Sequence, residues 1–153
     1  GDPSDQHLDE SIRSIDATYI QLHGNESSQR CSDIKKLFDL PVIKAFGINS
    51  ALDLNAAAHY ENVVDYFLFD AKPDIKNIKQ KGGLNKVFNW KILDSWKGKE
   101  FFLAGGININ NIKSAINDTN AFCIDISSGV EKELGIKDSN MIKEIYTEFK
   151  ALL

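Results

Sequence analysis

Cysteine is scarce in this 153-residue chain, and the two present, Cys31 and Cys123, fit no metal-binding spacing and are too few for a disulfide framework. Clusters of basic residues are lacking too. A net charge of −4 and a pI near 5.4 argue against a nucleic-acid surface, because neutralising phosphates takes clustered Lys and Arg. Any anion bound here is expected to be small. The opening stretch GDPSDQHLDE has neither the basic residues nor the apolar segment of a secretory or transit peptide, which leads to the expectation of a cytoplasmic protein. With 42% hydrophobic and 26% charged residues, the composition is that of a globular chain and argues against disorder and membrane spanning. The length suits a single domain over residues 1–153 and is short for the larger α/β architectures.

What the chain does have is repetition of a pattern. Five short apolar runs recur: TYIQLHG from Thr18, PVIKAFG from Pro41, DYFLFDA from Asp65, EFFLAGG from Glu100 and AFCIDISSG from Ala121. Each has the length and composition of a strand. Helical spacing fills the gaps, with Cys31, Ile34, Leu37 and Phe38 in residues 27–38 and Ile109, Ile112, Ala115 and Ile116 in residues 108–116. Leu8, Ile12 and Ile15 predict a helix before the first strand, and Met141, Ile142, Ile145, Phe149 and Leu152 predict a closing one. Strands alternating with helices across connections too long for hairpins predict βα units and a parallel sheet. The chain thus opens in mid-unit, on a helix with no strand before it.

Polar residues gather at one end of each unit. Gln21, His23, Lys44, Asp70, Gly105, Gly106 and the Ser127–Ser128–Gly129 run all fall at or near the carboxyl end of a predicted strand. That edge is where parallel α/β proteins bind ligands. LAGGININNI permits close backbone approach at Gly105 and Gly106 and predicts a helix starting near Asn108, with free amides for an anion. DISSGVE offers the hydroxyls of Ser127 and Ser128, then Gly129 where a side chain would obstruct. Two such stretches on successive units point to a phosphate cradle. Strand alternation puts Tyr66, Leu68 and Asp70 on one face and Phe67 and Phe69 on the other. An acid at a strand end beside apolar residues is expected to have its neutral form favoured, as a proton donor requires.

These blocks carry a resemblance. YIQLHGNES, FLFDAK, GGLNKVFNW, FFLAGGININNI and IDISSGVEKELGIKD resemble, in this order and spacing, the fourth to eighth units of the phosphoribosylanthranilate isomerase family, (β/α)8 TIM-barrel enzymes of tryptophan biosynthesis. The resemblance implies an Amadori rearrangement of N-(5-phosphoribosyl)anthranilate, a small phosphosugar-anthranilate substrate, with no cofactor or metal. It implies that Asp70 is the general acid, that Gln21, His23, Gly82, Gly83 and Asp125 contact substrate, and that Gly105, Gly106, Ser127, Ser128 and Gly129 hold its phosphate.

The same resemblance fails at one point. The family's general base is a cysteine on the first strand, and nothing here corresponds to that strand, since Cys31 and Cys123 both read as packing residues. The expectation is therefore an N-terminally truncated barrel of five βα units, strands four to eight, preceded by a helix. Such a fragment would expose sheet edges and would be inactive or poorly stable alone. Two other readings stand beside the isomerase: a non-catalytic phosphate-ligand-binding fragment, and a sister barrel such as indole-3-glycerol-phosphate synthase. Fusion to, or association with, other tryptophan-pathway enzymes stays open.

Overall fold

Helix starts and stops are set by local chemistry. In a computed structural model, which describes residues 2–72 and 87–152, helix α1 spans Asp5–Ile15 and helix α2 spans Ser28–Phe38. Each begins on a serine, Ser4 or Ser27, whose hydroxyl accepts a backbone N–H three residues on. Each ends on an aspartate, Asp16 or Asp39, in the left-handed conformation with φ near 50°. Aspartate tolerates that geometry better than most residues. On α2 the buried side chains are Cys31 and Ile34, three residues apart on one face.

The five apolar runs are five strands: β1 (Ile20–Leu22), β2 (Val42–Ile48), β3 (Tyr66–Ala71), β4 (Phe101–Leu103) and β5 (Cys123–Ile124). They form one sheet in the order β1-β2-β3-β4-β5, and every neighbouring pair is parallel. Sequential order in an all-parallel sheet needs a crossover after each strand. Three of these crossovers carry α2, α3 (Ala51–Ala58) and a 3-10 turn (Trp90–Ser95), and α4 (Ile112–Asn117) lies between β4 and β5. A small antiparallel hairpin, β6 (Glu131–Glu133) and β7 (Ile136–Lys137), precedes the closing helix α5 (Ser139–Ala151).

The two faces of the sheet bury different amounts. On the helix side, Ile20, Leu22, Val42, Ile48, Phe67, Phe69, Phe101 and Leu103 pack with Ile34, Leu54, Ile112 and Ile145 into the main core. The inner face holds a smaller cluster of Ile43, Ala45, Leu68 and Ala104, with Tyr66 and Phe102 against it. Strand alternation follows directly, and Asp70 shares the inner face with Tyr66 and Leu68 as the sequence predicts. Aromatic rings extend this inner face at the amino ends of the strands, where Tyr66 stacks on Phe122 at 5.8 Å and meets Tyr19 at 6.1 Å. Tyr19 and Phe122 remain 49% and 58% exposed, so this inner surface is only partly covered.

Three elements differ from the sequence reading. The helix predicted from Asn108 starts at Ile112, because Asn108 and Asn111 spend their side chains on the preceding turn. Asn111 Oδ1 accepts from Asn108 N at 2.8 Å, and both side-chain amides donate to Gly106 O. The resulting helix is six residues long. Helix α3 and the β6–β7 hairpin were not foreseen. The first is rich in alanine with little apolar periodicity, and the second has exposed strands.

Candidate active site

Parallel register brings the strand ends to one edge. Asp70 stands opposite Gly47 of β2, and Ala71 opposite Ile48, so the end of β3 is flanked by a residue without a side chain. On its other side lies the turn after β4. Gly105 and Gly106 both have positive φ, 89° and 68°, a backbone path that favours glycine. A Cβ at Gly105 would lie 2.5 Å from Asp70 Oδ1 and still closer to Ala71 N. Gly105 is therefore the wall against which the Asp70 carboxylate rests.

Asp125 stands at the end of β5, where it feels the charge of Asp70. Its backbone N–H donates to Leu103 O at 2.8 Å, which continues the β4–β5 register by one residue. Although much of the residue meets solvent, crowding around its carboxyl, together with the negative charge of Asp70, pushes Asp125 above the usual carboxylate range. The charges of Lys137 and His23 act in the opposite direction. Asp70, Asp125 and His23 thus share one electrostatic neighbourhood, assembled from three strands far apart in sequence. Gln21 lies on the inner face of β1 two residues before His23, and both side chains are exposed.

The last loop is clamped rather than free. Lys137 donates to Ser127 O at 2.8 Å, to Ser127 Oγ at 2.9 Å and to Glu131 Oε1 at 2.7 Å. This ammonium spends its donors on the Ser127 side of the loop, and leaves the Ser128 side chain exposed. Gly129 is buried, and a Cβ there would overlap Ile107 O and touch Asn108. The obstruction expected at Gly129 is real, but what a side chain would strike first is the backbone of the preceding unit. The loops after β4 and β5 are packed on each other, which brings Gly105, Gly106, Ser127, Ser128 and Gly129 into one region.

Neither cysteine is poised for chemistry. Cys31 is fully buried on α2, and burial pushes its thiol up to about 11. Cys123 is half-buried on β5, and burial, with Asp125 nearby, raises its thiol as well. A thiolate nucleophile or base needs the reverse environment. Gly82 and Gly83 lie outside the described residues.

Several contacts near the site carried no signal that sequence reading used. Lys72, two residues past Asp70, pairs with Asp53 Oδ1 at 3.0 Å, and Asp53 Oδ2 also accepts from Asn49 N and Ser50 N at the start of α3. Burial pushes Asp53 up, yet these hydrogen bonds outweigh it and hold the carboxyl at about 2. Lys44 departs from the sequence reading more strongly. It is 1% exposed and paired with Glu26 in the wall of a cavity that also holds His23 and Asp70, instead of standing free at the ligand edge. An internal lysine in the run VIKAFG was the available clue. Among the described residues, no group of three or more His, Cys, Asp or Glu is arranged to hold a metal, and no helix is long and apolar enough to cross a membrane.

Comparison with known proteins agrees with this fold. A family model for N-(5'phosphoribosyl)anthranilate (PRA) isomerase matches residues 2–148. The N-(5'-phosphoribosyl)anthranilate isomerases of Rhizobium etli and Brucella canis are each 41% identical over 146 residues, which is 95% of this chain and 65% of theirs. The chain therefore spans about two thirds of the length of the curated relatives it matches. Phosphoribosyl anthranilate isomerase from Thermotoga maritima superposes with a TM-score of 0.82 at 30% identity, covering 96% of this chain and 68% of that one. A phosphoribosyl anthranilate isomerase solved in complex with reduced 1-(o-carboxyphenylamino)-1-deoxyribulose 5-phosphate superposes at 0.78 with 28% identity, over 96% of this chain and 66% of the other. The parallel sheet with its helices is of the α/β TIM-barrel type. By its sequence match and its fold together, the chain belongs to the N-(5'-phosphoribosyl)anthranilate isomerase family.

Proposed function

We propose that a barrel containing this chain isomerises N-(5-phosphoribosyl)anthranilate to 1-(2-carboxyphenylamino)-1-deoxyribulose 5-phosphate, a step of tryptophan biosynthesis in the cytoplasm. The observation that carries this reading is the convergence of Asp70, Asp125 and His23 on the carboxyl edge of a sheet that belongs to this family. In the reaction Asp70 gives its proton to the ring oxygen as the C1–O bond breaks, and the anthranilate nitrogen lone pair forms an iminium ion. A base then removes the proton from C2 and leaves an enolamine, which tautomerises to the ketone. Atoms balance, since the product is an isomer of the substrate.

Each side chain has a place in that scheme. Asp125, close enough to Asp70 for their charges to interact, accepts hydrogen bonds from sugar hydroxyls. Gln21 and His23 line the mouth over β1. The packed loops at Gly105, Gly106, Ser127, Ser128 and Gly129 receive the phosphate through backbone amides and hydroxyls. The resemblance places the base on a first-strand cysteine, so the base is assigned to a residue outside these 153; Cys31, fully buried on α2, does not fit that role. It follows that the chain makes up the C-terminal five βα units of a barrel and does not turn over alone. The half-covered inner face, with Tyr19 and Phe122 exposed, supports that reading.

The test is loss of substrate fluorescence with freshly generated phosphoribosylanthranilate. It compares this chain alone with the chain completed by the amino-terminal third of the Thermotoga maritima relative. Turnover by the completed barrel only, abolished by Asp70→Asn, is the expected result. Turnover by the 153 residues alone would show that no outside base is needed, and a folded but inactive completed barrel would refute the isomerase assignment.

A further inference from the structure

The most deeply buried charges in the described residues stand in the wall of the cavity that holds His23 and Asp70. The side chains of Lys44 and Glu26 are 2% and 1% exposed and pair at 3.2 Å between the sheet and α2. Taking two charges out of water is costly, and a well-packed apolar pair commonly does as well for stability. Such a pair is best explained by what its hydrogen bonds hold in place.

Both side chains hold the same residue. Lys44 Nζ donates to Gly24 O at 3.0 Å, while both carboxylate oxygens of Glu26 accept from Gly24 N, at 3.0 and 3.1 Å. Lys44 spends its other two donors on Ala45 O at 3.0 Å and on Glu26, so no N–H is left for a ligand. The Phe46 ring lies 4.9 Å from the ammonium and closes the site from the side. Tyr60 adds a third tie, its hydroxyl donating to Glu26 O at 3.1 Å. Gly24 is thus gripped at its N–H and its C=O, and the peptide bond on its amino side is the one that carries His23.

We infer that Lys44 and Glu26 are positioning residues for His23: a buried ionic clip on Gly24 sets the direction in which the imidazole enters the ligand edge. The inference rests on the isomerase reading only for what His23 does there. Without the clip, the turn from β1 into α2 has no other side-chain tie at Gly24 among the described residues. The imidazole would then sample several orientations relative to Asp125, whose carboxyl senses its charge. A ligand would have to select one of them, and apparent affinity would fall by the fraction correctly placed.

The experiment uses the completed barrel, with Lys44→Met replacing the ammonium by an apolar side chain of similar length. Hydrogen exchange at the Gly24 amide and the imidazole resonances of His23 are followed by NMR without substrate. Loss of Gly24 protection by about 100-fold and broadening of the His23 signals are expected, with the rest of the sheet unchanged. A Gly24 amide as protected as in the parent protein would overturn the inference. Kinetics then separates positioning from a general structural role. Lys44→Met should raise KM about tenfold, and should add nothing further in a His23→Ala background, because it acts through that side chain. Full additivity of the two substitutions would overturn the inference too. Glu26→Gln keeps the shape and serves for the same comparisons should Lys44→Met not fold. If the parent barrel turns over no substrate, the isomerase reading falls while the NMR comparison still decides the clip.

Discussion

Replacing Gly105 by alanine tests the most specific contact in the site, because one methyl group would stand where the Asp70 carboxylate rests. Two costs can be separated. The first is backbone: φ at Gly105 is 89°, where a Cβ costs about 1–2 kcal/mol. The second is overlap, since the new Cβ would lie 2.4 Å from Ala71 N and 2.5 Å from Asp70 Oδ1, and reaching 3.4 Å from both requires a shift of about 1 Å. Forcing an extra methyl into a filled space typically costs a further ~1–3 kcal/mol. Gly105→Ala should therefore destabilise by about 2–5 kcal/mol, a drop in Tm on the order of 5–15 °C for a protein of this size. A displacement near 1 Å at a proton donor should lower kcat about 100-fold.

Gly135 supplies the control. It has φ 79° in the β6–β7 turn and nothing within 4 Å of its Cβ position, so Gly135→Ala carries only the backbone cost of about 1–2 kcal/mol. The assay is thermal unfolding of both variants, with turnover of phosphoribosylanthranilate in the completed barrel. If Gly105→Ala matches Gly135→Ala in both measurements, Gly105 is not the wall behind Asp70.

Other perturbations follow from the ion pairs and loops. Asp53 is held at about 2, below its ordinary 3.8, by Lys72, Asn49 and Ser50 acting against burial, so its stabilisation is complete above about pH 4 and is lost as pH falls towards 2. Asp53→Asn should flatten that part of the Tm-against-pH curve, and an unchanged slope would refute the assignment. Asp125 is displaced the other way, by burial and by Asp70, and its ionised form opposes folding. Asp125→Asn should raise Tm at pH 7, with the gain vanishing below the ordinary carboxylate range, while substrate binding weakens. Lys137→Met removes both ties to Ser127 and should weaken binding of inorganic phosphate about tenfold, measured by calorimetry, with little change in secondary structure. Cys31 should resist a thiol reagent at pH 8 far longer than Cys123 does, because it is fully buried with its thiol at about 11.

The sequence by itself determined the periodic part of this protein. Five apolar runs became five strands, and alternation along YFLFDA placed Asp70 on the inner face. Each of these depends on interactions within a few residues, which local spacing encodes. The family blocks, likewise contiguous, were legible for the same reason. Tertiary structure decided what depends on neighbours distant in the chain. Lys44 looked like a strand-end charge, but Glu26 and Gly24 hold it on the helix side. Gly105 read as a turn glycine, and the fold packs it against Asp70 and Ala71, more than 30 positions earlier. The helix expected at Asn108 was delayed because Asn108 and Asn111 found better partners in Gly106 and each other. A side chain's periodicity tells which way it points; only the packed neighbours tell what it meets there.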